Sequence, residues 1–245
     1  MGKELQVNIA VNLAQVRERI GEACARSGRP PEAITLVAVT KTRPIGQILQ
    51  AYECGLRDFG ENRVEELEEK RPLLDNAWSA DPPRWHMIGH VQSRKAERAV
   101  AVSDVVHSVD SLRLAARLER FAAQAGRILP VLLELNVSGE ASKYGFAAWD
   151  AETLAAFETE IEPLATHEHL RVCGLMTMAP IVADMEQTRP IFRRLREIRD
   201  RLRERCSWSG WEELSMGMTD DYPVAIEEGA TIIRIGRAIF GPADY

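Results

Sequence analysis

The run LVAVTK, residues 36–41, ends an apolar, β-branched stretch in an ammonium group. Side chains alternate along a strand, so Val37, Val39 and Lys41 share one face. Lysine is rarely buried without a purpose. Desolvation lowers its pKa and frees a neutral amine to attack a carbonyl carbon. That is one reading of Lys41; the other is a lysine just past the strand end that snorkels to water. Spacing alone leaves both open. Lys143, in ASKYGF, is a rival amine at the end of another strand, but no apolar strand carries it inward.

Two glycine loops supply a second kind of chemistry. LSMGMTDD (214–221) and RIGRAIFG (234–241) each set a glycine between a strand and a predicted helix. Glycine permits close backbone approach, and helix N-termini offer free N–H groups to an anion. Ser215 adds a hydroxyl, so the pair reads as a phosphate site. In TIIRIG, Ile232, Arg234 and Gly236 share a face, which aims a guanidinium inward if that face is the inner one. The bland alternative for Arg234 is an interior ion pair, with Glu61 as its partner. An amine, a phosphate site and an inward cation suit a phosphorylated aldehyde. Pyridoxal 5′-phosphate fits, and an arginine beside its ring nitrogen would leave that nitrogen unprotonated and the ring a weak electron sink.

The elements that must position these groups repeat. Apolar strands are predicted around residues 34–41, 56–62, 84–90, 105–110, 129–138, 170–179, 211–217 and 231–236, with helical stretches between them. Ile9, Leu13, Val16 and Ile20 mark an extra helix before the first strand. Ser111 is the expected N-cap of the helix after the fourth strand, and Gly126 follows its end. Pro72 is expected to break the third helix, and Pro190 blurs the start of a long helix within 184–206. Residues 76–84 and 138–148 are the least regular loops. Repeated βα units imply a parallel sheet, and eight of them in this length match a closed (β/α)8 TIM barrel. An open doubly wound sheet is the alternative. Nothing marks a linker, so residues 1–245 are expected to be one domain. In a barrel, chemistry collects at the C-terminal strand ends, and phosphate binds after strands seven and eight.

Composition narrows the function classes. The net charge is −6, which gives no basic footprint for nucleic acid. The arginine-rich FRRLREIRDRLRER reads as a solvated helix face with paired charges. The four cysteines form no C-x-x-C pair, so neither a metal site nor a disulfide frame is expected. No signal peptide or membrane span is read, and a cytoplasmic protein is the expectation.

The motifs VAVTKTRP, FGENRVEE, WHMIGHVQSRK, GLMTMAP, LSMGMTDDYPVAIEEGAT and RIGRAIFG together resemble the pyridoxal-phosphate homeostasis protein family. They run in order from about Val37 to the chain end; residues 1–35 and 140–170 match only in general pattern. The resemblance implies a barrel like the alanine racemase N-terminal domain, holding pyridoxal 5′-phosphate as a Schiff base on Lys41. It implies that Ser215, Met216 and Gly217, with Gly236 and Arg237, bind the phosphate. It sets Arg234 at the pyridine nitrogen, and Asn62 and His86 near the cofactor. Many members carry a small hydroxyl residue where this chain has Arg237; a backbone contact survives that change and a hydroxyl contact does not. Racemases of this kind take a second acid–base from a tyrosine of a separate β domain, which these residues do not include. The expectation is therefore a non-catalytic binder, monomeric, serving cofactor homeostasis and apoenzymes that need the cofactor. The alternatives are a racemase or decarboxylase using His86 or Tyr222 as a second base, and an aldolase-like Schiff-base barrel.

Overall fold

The computed structural model describes residues 7–75, 78 and 81–242. Residues 1–6 and four positions of the predicted 76–84 loop lie outside the described residues, as do 243–245. Eight parallel strands close into a barrel: β1 (Thr35–Val39), β2 (Asp58–Glu61), β3 (Arg84–Met87), β4 (Val105–Val109), β5 (Leu129–Asn136), β7 (Leu170–Met176), β8 (Glu213–Ser215) and β9 (Ile232–Ile235). Closure comes from β1 pairing with β9 and β4 pairing with β5. A two-residue strand, β6 (Phe146–Ala147), adds to β5 from within the predicted 138–148 loop. The eight predicted barrel strands are all present, each shorter than its apolar run.

Alternation along β1 sorts the core into two. Val37 joins Val105, Leu132, Met176 and Ile232 in a small interior cluster, while Ala38 packs outward into the large core shared with the helices. The extra helix α1 (Ile9–Ser27) buries Ile9, Leu13, Val16 and Ile20 as its periodicity requires. Its N-cap Asn8 accepts from Val11 N at 3.1 Å, and Gly28 at φ 66° closes it. It packs against α8 (Tyr222–Glu227) and α9 (Arg237–Phe240), the helices that follow the two glycine loops. The helix after β4, α5 (Leu112–Gln124), starts on Ser111, as expected.

Two proline expectations change. α3 (Val64–Asp75) runs through Pro72 without a break. Side-chain ties to the barrel hold this turn against the lost N–H: Arg71 donates to Val102 O and pairs with Asp104, and Lys70 pairs with Glu61. Pro190 falls in the first turn of α7 (Arg189–Arg205), where no N–H is needed, after a 3-10 turn at Met185–Thr188. α7 buries Phe192, Leu195, Ile198 and Leu202, and its Arg189, Arg193 and Arg196 reach across to the buried Glu228, so these arginines pair between elements rather than at i,i+4 along their own helix.

Glu61 points outward from the barrel, fully buried, and does not meet Arg234. Its Oε1 accepts from Lys70 Nζ and from Thr40 Oγ1, both at 2.6 Å. Alternation is the reason: Glu61 follows inward Gly60 and so faces α3. Burial is the main force on its carboxyl and pushes its pKa up, against the pull of Lys70. Lys70→Met strands that charge. It should lower unfolding stability by about 3 kcal/mol, and the double variant with Glu61→Gln should recover much of the loss in urea titrations. Equal loss in the single and double variants would contradict the pairing.

Candidate functional site

The C-terminal ends of four adjacent strands, β2, β1, β9 and β8, form an arc that carries Asn62, Lys41, Gly236 with Arg237, and Gly217. Register makes them neighbours. Val37 pairs with Arg234 and Ala38 with Ile235, so the strand ends of β1 and β9 come out side by side. A methyl on Gly236 would lie 3.4 Å from Val39 Cβ. Arg234 N donates to Gly217 O at 3.0 Å, which ties the β8 loop to the same edge.

Lys41 sits in a turn just past β1, exposed, with Thr40 before it turned outward to Glu61. The strand stops at Val39, so Lys41 stands at the barrel mouth and not inside it. Its turn is fixed by Thr42 at φ 60°, whose N donates to Glu66 Oε2 at 2.8 Å. Among the described lysines, Lys70, Lys95 and Lys143 all hold carboxylates, and only the Lys41 ammonium has no ion pair or hydrogen bond. The rival Lys143 is tied to Glu140 and to Met178 O at 2.7 Å. Geometry therefore separates two amines that spacing did not.

The two glycines differ. Gly217 has φ 93°, and a methyl there would meet Ala225 Cβ at 2.6 Å and Tyr222 Cα at 2.9 Å. Folding alone requires that glycine. Gly236 has φ −112° and room for a methyl at ordinary contact distance from Val39, so folding alone does not require a glycine there. Met216 N is used by Ile232 O, which removes it as a donor. Arg237 turns away to Asp220, with Nη2 at 2.6 Å from both carboxylate oxygens. Asn62 is half-buried on the β2 side of Lys41.

Below this rim Arg234 points into the barrel at 4% exposure. Nη1 donates to Ser215 Oγ at 2.6 Å and Nη2 to Thr177 O at 3.0 Å. Burial is the main force lowering its pKa, to about 10, with Glu134 and Asp221 resisting, so it stays a cation at neutral pH. Two expected roles change here. Ser215 Oγ is fully buried between Arg234 and His107, so its hydroxyl is spent inside the barrel rather than offered to an anion at the rim. His86 lies in the interior, bonded to Asp58 and His107, and is not at the mouth. Alternation counted from the strand start, not the motif, explains both positions. Tyr222 is buried in the outer core against Arg19 and faces away from the barrel.

Glu134 was not among the expected site residues. It is an inward carboxylate on β5 at 3% exposure, with its pKa raised to about 7, by burial first and then Asp110, against Arg234. The signal was present: LPVLLELNVS carries one charge in the middle of an apolar strand, two residues before Asn136. Asn136 itself anchors its own loop, giving Nδ2 to Glu140 O and taking Gly139 N.

A free amine, the backbone of Gly236 and an inward cation on adjoining strands are the donor set that a phosphorylated aldehyde requires. A barrel of this form, with its chemistry at the C-terminal rim, defines an alanine racemase-like class. The model for the alanine racemase N-terminal domain matches residues 11–244, and the chain belongs to that family. Within it, the chain belongs with the pyridoxal phosphate homeostasis proteins. One from Pseudomonas aeruginosa is 41% identical over 237 residues, spanning 97% of this chain and 96% of that protein. One from Aquifex aeolicus is 37% identical over 239 residues, spanning 98% and 100%. The structure of PipY from Synechococcus elongatus PCC7942, with PLP bound, superposes with a TM-score of 0.80 at 36% identity, covering 96% of this chain and all of that one (100%). Alanine racemase from Clostridium difficile 630, at 15% identity, shares the fold with a TM-score of 0.71 over 97% of this chain and 60% of its own.

Glu134 makes stability depend on pH. Its carboxyl holds a proton up to about pH 7 when folded, against 4.5 as its ordinary value. The folded state thus binds more protons in that window, and this contribution, full below the ordinary value, is lost as pH rises through about 7. Glu134→Gln removes the slope. Between about pH 5 and about pH 8 the wild type should lose roughly 1–3 kcal/mol more stability than the variant in denaturant titrations. Parallel losses would contradict it.

Proposed function

We propose that this protein binds pyridoxal 5′-phosphate at the arc of strand ends, holds it as a Schiff base on Lys41, and serves cofactor homeostasis without turnover. The observation that carries the reading is Lys41, the one described lysine whose ammonium has no partner, at the end of the strand beside Gly236, a glycine that folding does not require, and above the buried cation of Arg234. When bound, the cofactor supplies an aldehyde that an amine captures reversibly and a ring that withdraws electrons.

Each residue then has a task. Lys41 Nζ, at the mouth, would condense with the aldehyde, whose carbonyl oxygen leaves as water, and so anchor the cofactor. Backbone N–H groups at Gly217, Gly236 and Arg237 bind the phosphate, with the Arg237 side chain left to Asp220. Ser215 and Met216 support the cradle from below, through the hydrogen bond to Arg234 and through the backbone. Asn62 flanks the cofactor from β2, and His86 acts from the interior. Arg234 directs a guanidinium at the ring nitrogen and keeps it free of a proton, which weakens the ring as an electron sink.

The same argument supports a carrier over a racemase or decarboxylase. The two side chains named as a second base, His86 and Tyr222, are bonded inside the barrel or packed in the outer core. We read residues 1–245 as one cytoplasmic, monomeric domain that releases cofactor to apoenzymes. No helix among the described residues is long and apolar enough to cross a membrane.

Titration with pyridoxal phosphate should give the wild type a visible band. Lys41→Ala should lose it, and Gly236→Ala should keep wild-type stability yet bind about tenfold more weakly, a loss near 1.4 kcal/mol. A panel of amino acids should turn over no faster than with free cofactor. A Lys41-dependent rate above that background would establish an enzyme instead.

A further inference from the structure

Five side chains from five strands form one hydrogen-bonded chain through the barrel interior. Asp58 Oδ1 lies 2.9 Å from His86 Nε2, and His86 Nδ1 lies 2.8 Å from His107 Nε2. His107 Nδ1 lies 2.8 Å from Ser215 Oγ, which accepts from Arg234 Nη1 at 2.6 Å.

With both imidazole rings neutral, the two ends set the direction of every bond. An ionised carboxylate only accepts, so His86 Nε2 carries hydrogen. A guanidinium only donates, so Ser215 takes that bond on its oxygen and gives its own proton to His107 Nδ1. His107, neutral, then donates from Nε2 to the bare Nδ1 of His86. Each ring has one donor and one acceptor, and no hydrogen is left over. Burial first, and then the guanidinium charges of Arg234 and Arg84, hold the His107 pKa well below its ordinary value, in keeping with a neutral ring.

An apolar filler would have served packing alone, as Val37, Val105 and Leu132 do nearby. A polar chain is desolvated at a cost and holds only when every member is satisfied, and then it fixes one arrangement. Here it joins a buried cation to a carboxylate that water reaches. The Asp58 side chain is 26% exposed and that of His86 only 1%. His86 and Arg84 also line a cavity of about 640 Å³ at the N-terminal ends of the strands, away from Lys41.

We propose that Asp58, His86 and His107 are positioning residues of the cofactor site. Acting through Ser215, they hold the Arg234 guanidinium toward the ring nitrogen and couple the bound cofactor to the charge of Asp58 at the opposite end of the barrel. This rests on the cofactor reading above. The other charged groups facing the chain are Arg84 beside His107, Glu134 and Asp221 beside Arg234, and Asp110 beside Glu134.

The first test needs no cofactor. Nitrogen-15 NMR of histidine-labelled full chain should find His86 and His107 both neutral, with hydrogen on Nε2, near neutral pH. A cationic His107, or hydrogen on its Nδ1, would overturn the proposal. The second test uses protein loaded with pyridoxal phosphate. Asp58→Asn keeps an acceptor oxygen and removes the charge. Its cofactor should still be trapped on Lys41 by borohydride, while the pH midpoint of its absorbance band moves down, because losing an anion disfavours the protonated form. His107→Gln should release cofactor roughly tenfold faster, about the worth of one buried hydrogen bond. Should that variant fail to fold, Asp58→Asn decides. Full loading with a wild-type midpoint would reduce the chain to packing. Failure of the wild type to trap cofactor on Lys41 would refute the cofactor reading, and with it this proposal, whatever tautomers NMR finds.

Discussion

A guanidinium inside a closed barrel must be surrounded by acceptors, and Arg234 organises the interior on that condition. At 4% exposure it cannot rely on water. Ser215 and Thr177 O take its hydrogen bonds, and the carboxyls of Glu134, once it loses its proton near pH 7, and of Asp221 oppose its charge. Ser215 is thereby withdrawn from the rim, and the two histidines are ordered behind it. The backbone of the same residue holds the Gly217 loop, so one position fixes both the interior cation and the edge of the anion cradle.

The closure of β1 on β9 turns this interior into a site. It brings Lys41 out beside Gly236, on residues far apart in the chain. A cavity of about 640 Å³ lies at the other end of the barrel, and no lysine lines it. Donor chemistry is the ground on which the proposed site rests. Under the proposed function the same chemistry fits restraint: an amine to capture, a cradle to bind, and a cation to blunt the ring.

Much of this was legible in the residues. Runs such as ITLVAVTK and LPVLLELNVS mark strands whatever their neighbours, because burial on both faces demands continuous apolar residues. The glycine loops and Arg234 were legible by alternation. What failed were properties set by tertiary partners. Pro72 stays helical because Arg71 and Lys70 tie its turn to the barrel. Glu61 pairs with Lys70, and Ser215 with His107, across elements that no local pattern connects. Lys41 and Lys143 could be ranked from sequence but separated only by their partners in space.

The central claim is that Lys41 captures the cofactor. It is tested most directly by reducing the protein with borohydride in pyridoxal phosphate and mapping the modified peptide by mass spectrometry. The account predicts the added mass on Lys41 alone. Modification centred on Lys143, or spread evenly over the lysines, would contradict it.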